Sequence, residues 1–150
     1  MDTSDNFAES IFQKMRAGVI LVDMNRRVQF INSSYSNLTG WDDKEALGKY
    51  CYELHESFTG TGINICRENC LFYKALEHGE DPPYAELVIN TKDELVKWVR
   101  VHHTRVNDFN GNPGGCIIEM VEIEDFAEWK PKLNGFLGIK PENKSSEKFY

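Results

Sequence analysis

The sequence predicts an α+β domain in which a five-stranded antiparallel sheet carries short helices on one face. Two observations lead to this fold class. Strand-like segments occur in two groups, and residues 33–79 between them lose the strand pattern and carry several short helical segments. The order is thus helix, two strands, several short helices and three strands. Strands separated in this way cannot form a simple meander, so both groups must join one sheet, with an interior between sheet and helices for a small molecule.

The first elements are a helix and a hairpin. Residues 4–15 place Phe7, Ile11 and Phe12 at helical spacing. The segment "AGVILVDMNRRVQFIN" has an apolar run, a turn over residues 23–26, and then an alternation that puts Val28 and Phe30 on one face. A helix followed by a β-hairpin is the resulting prediction.

Short helices are predicted in the middle of the chain. The segments "SSYSNLTG" and "DDKEALG" each end at a glycine, which commonly stops a helix. The segment "NICRENCLFYKALEHG" predicts a longer helix that Asn64 caps and Gly79 ends, with Ile65, Phe72 and Leu76 on one face.

Three strands close the folded part, in "PYAELVIN", "ELVKWVRVHHTRV" and "GCIIEMVEIE", all rich in β-branched residues. The last twenty residues are polar and lysine-rich. We therefore divide the chain into an N-terminal helix (1–16), a domain (17–128) and a linker or flexible tail (129–150).

Charge and hydropathy exclude several classes of function. The net charge is −7, and no segment gathers the lysines and arginines that a nucleic-acid surface needs, so direct nucleic-acid binding is not expected. No apolar run is long enough to cross a membrane, and no secretion signal opens the chain. The sequence predicts a cytoplasmic protein without membrane contact.

The segment "CYELHESFTGTGINICRENC" holds the candidate metal ligands Cys51, His55, Cys66 and Cys70. Cys51 and His55 are four residues apart, as are Cys66 and Cys70, which is the spacing of one helix face. Thiolates and imidazole bind zinc, and cysteines also hold iron–sulfur clusters. Two other interpretations stay open: the cysteines pack as small apolar residues, or two of them form a redox switch.

Three segments carry a family resemblance, namely "GVILVDMNRRVQFIN", "SSYSNLTGWDDKEALGK" and "KWVRVHHTRVNDFNGNPGGCIIEMVEIED". Over about residues 8–128 the chain resembles a PAS domain, the sensory module found upstream of kinases and transcription activators. The resemblance implies a PAS-like sheet and a module that senses a signal and forms dimers. No catalytic motif accompanies it, so an enzyme is not expected.

The cysteine segment resembles a bacterial and archaeal subgroup with the pattern "G-K-x-C-Y-E-x-x-H … C-x-x-C-P-L-x-x-A-L-x-x-G". It departs from the subgroup in two ways. Three residues instead of two separate Cys66 from Cys70, and Phe72 follows where the subgroup prefers a Cys-Pro-Leu step. The closing Asp-Ile-Thr triplet of PAS domains is replaced by residues 122–124, Glu-Ile-Glu.

The resemblance also bears on organic cofactors. A flavin is not expected, because Cys51 lacks the neighbouring residues that light-sensing members keep beside their reactive cysteine. Haem is less favoured than a metal or cluster: His103 follows Val99 and Val101 inward on a strand, and a buried neutral histidine explains that position more simply. Alternation and helix faces alone suggest these pocket residues: Phe30, Leu38, Tyr52, Phe72, Val101 and His103.

The function predicted is a sensory and dimerisation module of signal transduction, including two-component systems and transcription regulation. It would bind a small ligand or sense redox state, form a homodimer through its N-terminal helix, and signal to a kinase or transcription-activator output domain. A cysteine-ligated metal or iron–sulfur sensor is the first alternative. A passive dimerisation scaffold without ligand is the second.

Overall fold

The computed structural model describes residues 3–67, 70–78, 80–82 and 84–123. Within these ranges the helices and strands follow one another in the order α1 Thr3–Lys14, β1 Gly18–Val22, β2 Val28–Ile31, α2 Ser33–Thr39, α3 Asp43–Ala46, α4 Cys51–Leu54, β3 Ser57–Phe58, α5 Leu71–Glu77, β4 Ala85–Asn90, β5 Val96–Asn107 and β6 Pro113–Glu122. The predicted tail, residues 129–150, and the predicted domain boundary at residue 128 lie outside the described residues.

The strands form one antiparallel sheet in the order β2-β1-β6-β5-β4-β3. The first hairpin pairs with the last strand, so the two groups of strands rejoin across the helical middle, as the sequence predicts. The fold class is confirmed with one difference, because the sheet has six strands rather than five. The added strand, β3, pairs Ser57 with Ile89 at the edge of the sheet. Two residues are too few to give an alternating pattern in the sequence.

The sheet has an inner face covered by helices and an outer face. Residues of α3, α4 and α5 belong to the same apolar core as the inner-facing residues of the sheet, among them Ala46, Leu54 and Phe72. On the outer face, α1 lies over the first hairpin, with the Phe12 and Phe30 ring centroids 5.8 Å apart. Burial of the inner apolar face against these helices supplies the main stabilisation.

A β-bulge corrects the predicted position of Phe30. Leu21 pairs with Phe30, but Val22 pairs with Val28, so Gln29 has no partner in the register. The extra residue reverses the alternation. Val28 therefore faces the inner core, whereas Phe30 faces outward under α1. The alternation that grouped Val28 with Phe30 was wrong at this point.

The helix predicted from Asn64 begins instead at Leu71. Asn64 forms an isolated bridge with Phe58, and its Oδ1 accepts a hydrogen bond from the amide of Cys66 at 2.9 Å. Asparagine competes with helix in this way, by bonding to the backbone two residues ahead. Gly79, the predicted end of this helix, lies outside the described residues.

Two local interactions hold the helices and strands around the core in place. The side chain of Asn32 accepts hydrogen bonds from the amides of Val19 and Tyr35, both at 2.8 Å, and donates to the carbonyl of Phe12 at 2.8 Å. It thereby ties α1, β1 and α2 together. At Gly115 a Cβ would lie 2.1 Å from the carbonyl oxygen of Val22, so only glycine permits this approach of β6 to β1.

None of the helices in the described ranges combines the length and apolar character that crossing a bilayer requires.

Candidate functional site

A small cavity lies between the inner face of the sheet and the helices, with a volume of about 40 Å³. Its lining divides into a polar or sulfur-bearing set and an apolar set. The first set is Arg26, Cys51, His55, Ser57, Cys66, Cys70, His103 and Met120, and the second is Val22, Ile65, Phe72, Leu87, Val101 and Ile118. An interior this rich in sulfur and imidazole is unusual for a core that is otherwise apolar.

The four predicted metal ligands all line this cavity. Cys51 begins α4 and His55 follows its last residue, so one short helix presents both. Cys66 and Cys70 reach the cavity differently, because Cys66 lies in a bend and Cys70 directly precedes α5. The bends that follow β3, rather than a shared helix face, bring the two halves of the segment together.

The six predicted pocket residues divide into two groups. Phe72, Val101 and His103 line the cavity. Leu38 lines a different groove, beside β6, and Phe30 lines the groove under α1. Tyr52 lies outside the cavity lining; its ring stacks on the Tyr50 ring, with centroids 5.2 Å apart. Helix periodicity could not place Leu38 or Tyr52, because α2 and α4 span only two turns and one turn.

His55 is buried and has a buried partner on α2. The Tyr35 hydroxyl and His55 Nδ1 lie 2.5 Å apart. Burial, with a smaller contribution from nearby His103, lowers the pKa of His55 to about 4. Burial also raises the pKa of Tyr35 well above its ordinary value. At neutral pH the phenol is protonated and the imidazole neutral, so the hydrogen bond joins two uncharged groups.

His103 presents a buried nitrogen without a partner. Its Nδ1 is shielded from solvent and makes no hydrogen bond to any residue that the structure describes. Burial first, and the neighbouring His102 second, lower the pKa of His103 to about 4. A neutral imidazole with an unsatisfied nitrogen carries a desolvation cost of about 1–3 kcal/mol, which a ligand would remove.

The thiols of Cys51 and Cys66 are protonated at neutral pH. Burial raises the pKa of Cys51 to about 12, and burial also raises the pKa of Cys66. At Cys66 one contact acts in the opposite direction, because the amide of Ser57 donates to Sγ at 3.0 Å. The same sulfur lies 3.6 Å from the carbonyl oxygen of His55, as a donor. The deprotonated form of Cys66 would thus already have a hydrogen-bond donor, as would that of Cys51, whose pKa a backbone hydrogen bond at Tyr52 lowers.

Arg26 covers the cavity from the hairpin turn, in a left-handed conformation with φ 67°. Its guanidinium donates to the carbonyl of Cys66 at 2.7 Å and lies over the rings of Tyr52 and Tyr73, 5.0 and 4.7 Å from their centroids. The sequence analysis missed this residue. Nothing in a turn sequence indicates that its side chain reaches a segment forty residues away.

Cys116 lies in the core around the cavity without lining it, and it is not among the predicted site residues. It is fully buried on β6 in the same core as Cys51, and half-buried Cys70 packs against that core. The sequence does indicate its position, because Cys116 alternates with Ile118 and Met120 and so points to the inner face of the sheet. All four cysteines are free thiols.

A preassembled metal cage is absent from the described part of the chain. No three His, Cys, Asp or Glu side chains there are already placed to hold a metal ion together. A metal that requires three or four such ligands would therefore need these side chains to rearrange.

Comparison with protein families matches residues 6–118 to the PAS fold. No curated protein matches the chain.

Solved structures give the same fold at low sequence identity. The PAS domain of a protein from Colwellia psychrerythraea is 15% identical with a TM-score of 0.66, over 83% of this chain and 99% of that one. The PAS domain of nitrogen regulation protein NR(II) from Vibrio parahaemolyticus is 12% identical with a TM-score of 0.59, over 77% and 97%. A PAS domain from a two-component sensor histidine kinase is 8% identical with a TM-score of 0.62, over 80% and 96%. At such identities these similarities establish the fold alone.

Proposed function

Because this chain belongs to the PAS fold family, we propose that it binds a small ligand in the cavity beneath Arg26 and passes the change through its sheet to an output domain or partner. PAS domains are signal-sensing modules, among others in sensor kinases. In this chain the ligand would be sensed in the cavity, and the change would pass from there through the sheet.

The single observation that carries the proposal is the buried, unpartnered Nδ1 of His103 beside the cavity. Buried polar atoms in folded proteins nearly always have a partner, and the exceptions call for an explanation. A bound ligand that donates to or accepts from this nitrogen would provide one. The thiols of Cys51, Cys66 and Cys70 add further weakly polar contacts on the other wall.

The size of the cavity limits the ligand. At about 40 Å³ it has room for a few atoms, whereas sites for drug-sized molecules measure roughly 300–1,000 Å³. A flavin or a haem would fit only if the core opened widely. An ion or a very small molecule fits without such a change.

The route of the signal follows β5 and β6. Val101 and Met120 line the cavity and pair with each other in the sheet. β6 ends next to the beginning of β5, where the amide of Ile123 donates to the carbonyl of Trp98 at 2.9 Å. A ligand that favours one arrangement of these strands would therefore alter the point where the chain leaves the sheet.

Homodimerisation through α1 belongs to the same proposal. Phe7 and Ile11 are exposed on α1, next to the outward-facing groove lined by Phe12 and Phe30. A second copy that covered them would bury apolar surface and place two output domains side by side. Kinase or transcription-activator output domains are the partners that fit such an arrangement.

A cysteine-ligated metal, zinc or an iron–sulfur cluster, is the second candidate. The observation that favours it is that Cys51, His55, Cys66 and Cys70 line one cavity. Elemental analysis of protein purified without oxygen tests it. Stoichiometric iron or zinc that is lost in Cys66→Ser would support a metal centre, and metal-free protein would contradict it.

The proposed function is tested by a thermal-shift screen of small polar compounds and metal ions, with His103→Phe and His102→Phe as matched variants. A ligand at a hundred times its Kd stabilises the folded state by about 2.7 kcal/mol. We expect this stabilisation in the parent and in His102→Phe, whose changed residue is exposed, and its loss in His103→Phe. A screen in which nothing stabilises the parent would favour a passive scaffold. Equal stabilisation of His103→Phe would place the ligand elsewhere.

A further inference from the structure

A groove of about 460 Å³ lies where the chain enters and leaves the sheet, and we call it the β6 groove. Its walls are residues 16–18 at the entry to β1, residues 120–122 at the end of β6, part of α2, and Lys97 near the start of β5. Met120 is the one described residue that lines both this groove and the cavity. The volume of the groove lies within the range of roughly 300–1,000 Å³ that is usual for small-molecule sites.

The lining of the β6 groove combines apolar surface with a few polar groups. Ala17, Leu38, Met120 and Val121 contribute the apolar part, and Val121 is 49% exposed. The polar side chains are those of Arg16, Ser34, Asn37, Lys97 and Glu122. Ligand pockets have this division, in which an apolar surface carries a small number of polar groups that orient the ligand.

The ammonium of Lys97 has hydrogen-bond donors that the fold does not use. Its side chain is 24% exposed, and Nζ donates to the carbonyl of Leu38 at 2.8 Å. That carbonyl is the one acceptor among the described residues within hydrogen-bonding distance of Nζ, whereas an ammonium carries three donors. The carboxylate of Glu122 lies 3.6 Å away, which is too long for a hydrogen bond. A ligand that brings an acceptor to Nζ would therefore use donors that are already in place.

The charge of the lining favours an anion. Arg16 and Lys97 are positive, and Glu122 is the one acidic residue of the described lining. Arg16 is exposed and forms no ion pair with a carboxylate that the structure describes. The β6 groove thus keeps a positive charge in a chain whose net charge is −7.

We propose that the β6 groove binds a small organic acid, whose carboxylate accepts a hydrogen bond from Lys97 Nζ and whose apolar body covers Leu38, Met120 and Val121. This is a second site, separate from the cavity of the proposed function. Gly18 and Met120 both line it and pair with each other in the sheet. A ligand held there contacts the strand by which the chain enters the sheet and the strand by which it leaves.

A single carboxylate on an apolar body matches this lining better than a polyanion does. A phosphate group carries more negative charge, and the carboxylate of Glu122 beside Lys97 would repel it more strongly. Acetate has the right charge but no apolar body to remove Leu38 and Met120 from water. A monocarboxylate with an aromatic or aliphatic body uses both the ammonium and the apolar surface.

The test follows the backbone amides of the isotope-labelled full chain by NMR while phenylacetate is added. Phenylacetamide, which has the same shape without the charge, and acetate, which lacks the ring, are the matched probes. We expect saturable shifts at the amides of Gly18, Lys97 and Val121, and none at Cys51 and Ile65, which line only the cavity. Phenylacetamide should bind about fivefold more weakly than phenylacetate, because it makes no charge-assisted bond of carboxylate to ammonium. Acetate should also bind more weakly.

Three substitutions and one control test the charges. Lys97→Gln keeps an N–H donor for the Leu38 carbonyl but loses the ammonium, so phenylacetate should bind about fivefold more weakly and phenylacetamide as before. Glu122→Gln removes the competing carboxylate and should strengthen phenylacetate binding by about two- to fivefold, whereas Arg16→Gln should weaken it by a similar factor. Lys14→Gln is the control, because Lys14 is exposed in the last turn of α1 and does not line the groove. It should bind phenylacetate as the parent does.

Four results would overturn the proposal: no shift at the amides of the groove, phenylacetamide or acetate binding as tightly as phenylacetate, unchanged phenylacetate affinity in both Lys97→Gln and Glu122→Gln, or equal weakening in Lys14→Gln and Arg16→Gln. The proposed function is tested separately. His103→Phe, which removes a cavity residue, should bind phenylacetate as the parent does, so failure of one proposal leaves the other standing.

Discussion

The hydroxyl of Tyr35 and Nδ1 of His55 form a hydrogen bond across 2.5 Å, and both side chains are buried. The bond joins α2 to the residue that follows α4. His55 therefore enters the cavity wall with a fixed orientation. The cysteine-bearing segment is anchored at this point to the helix that follows the first hairpin.

Removing this hydroxyl should destabilise the fold. Tyr35→Phe leaves Nδ1 of His55 buried without its hydrogen-bond partner, which costs about 1–3 kcal/mol of unfolding free energy. Urea denaturation followed by circular dichroism measures the loss. Tyr50→Phe is the control, because its hydroxyl accepts an exposed bond from Arg27 at 3.1 Å, and we expect a change within about 0.5 kcal/mol. Equal losses of unfolding free energy in the two variants would show that the buried bond stabilises the fold no more than the exposed one.

Stability should fall in mild acid because of the two buried histidines. Burial lowers the pKa of His55 and of His103 from 6.5 to about 4, so between these values the unfolded chain binds protons that the folded chain does not. The free energy of unfolding therefore decreases as the pH drops from about 6.5 to about 4, by up to about 1.4 kcal/mol per pH unit for each histidine.

Urea titrations across this pH window measure the dependence. The difference between the parent and the double variant His55→Gln with His103→Gln isolates the two histidines from the carboxylates that titrate nearby. We expect a smaller slope in the double variant. Parallel pH dependences in the two proteins would contradict the assignment of neutral imidazoles to the folded state.

Arg26 should control access to the cavity thiols. Its charge-assisted bond to the Cys66 carbonyl and its contacts with two aromatic rings hold the turn against the cysteine segment. Losing a bond worth about 1.5–3 kcal/mol should raise the population of open states, and with it the rate of thiol labelling, by about tenfold or more in Arg26→Gln.

Arg27→Gln is the matched control for this prediction. Arg27 lies 4.0 Å from the Tyr50 ring centroid and donates to the carbonyl of Gly48 at 2.8 Å, away from the cavity. Labelling with a chromogenic disulfide, timed with excess reagent, should be as slow in this variant as in the parent. Equal acceleration in both variants would mean that the whole turn, rather than Arg26, restrains the segment.

The sequence predicts the parts of the fold that have a clear period. On β5 the alternation of Val99 and Val101 places His103 on the inner face, because each strand residue points opposite to the one before it. The same rule fails at Phe30, since a bulge at Gln29 adds one residue to the strand. Nothing in "VQFI" distinguishes a regular strand from a bulged one.

The site itself depends on contacts that no local pattern reports. A spacing of four residues between Cys66 and Cys70 fits one helical turn, but the side chain of Asn64 bonds to the amide of Cys66 and stops a helix from starting there. Convergence on the cavity then arises from the bends after β3 and from the reach of Arg26. These are long-range contacts, and sequence spacing carries information only about near neighbours on one element.

The proposed homodimer can be tested on α1. Phe7 and Ile11 are 68% and 50% exposed, and together they form an apolar strip that a second copy would bury. Ile11→Glu places a charge in that interface, so sedimentation analysis should show a dimer for the parent and a monomer for the variant. Phe109→Glu is the control, because Phe109 is fully exposed on the turn between β5 and β6, far from α1 in the sequence, and should leave the dimer intact. A monomeric parent, or a dimer that Phe109→Glu dissociates while Ile11→Glu does not, would move the interface away from α1.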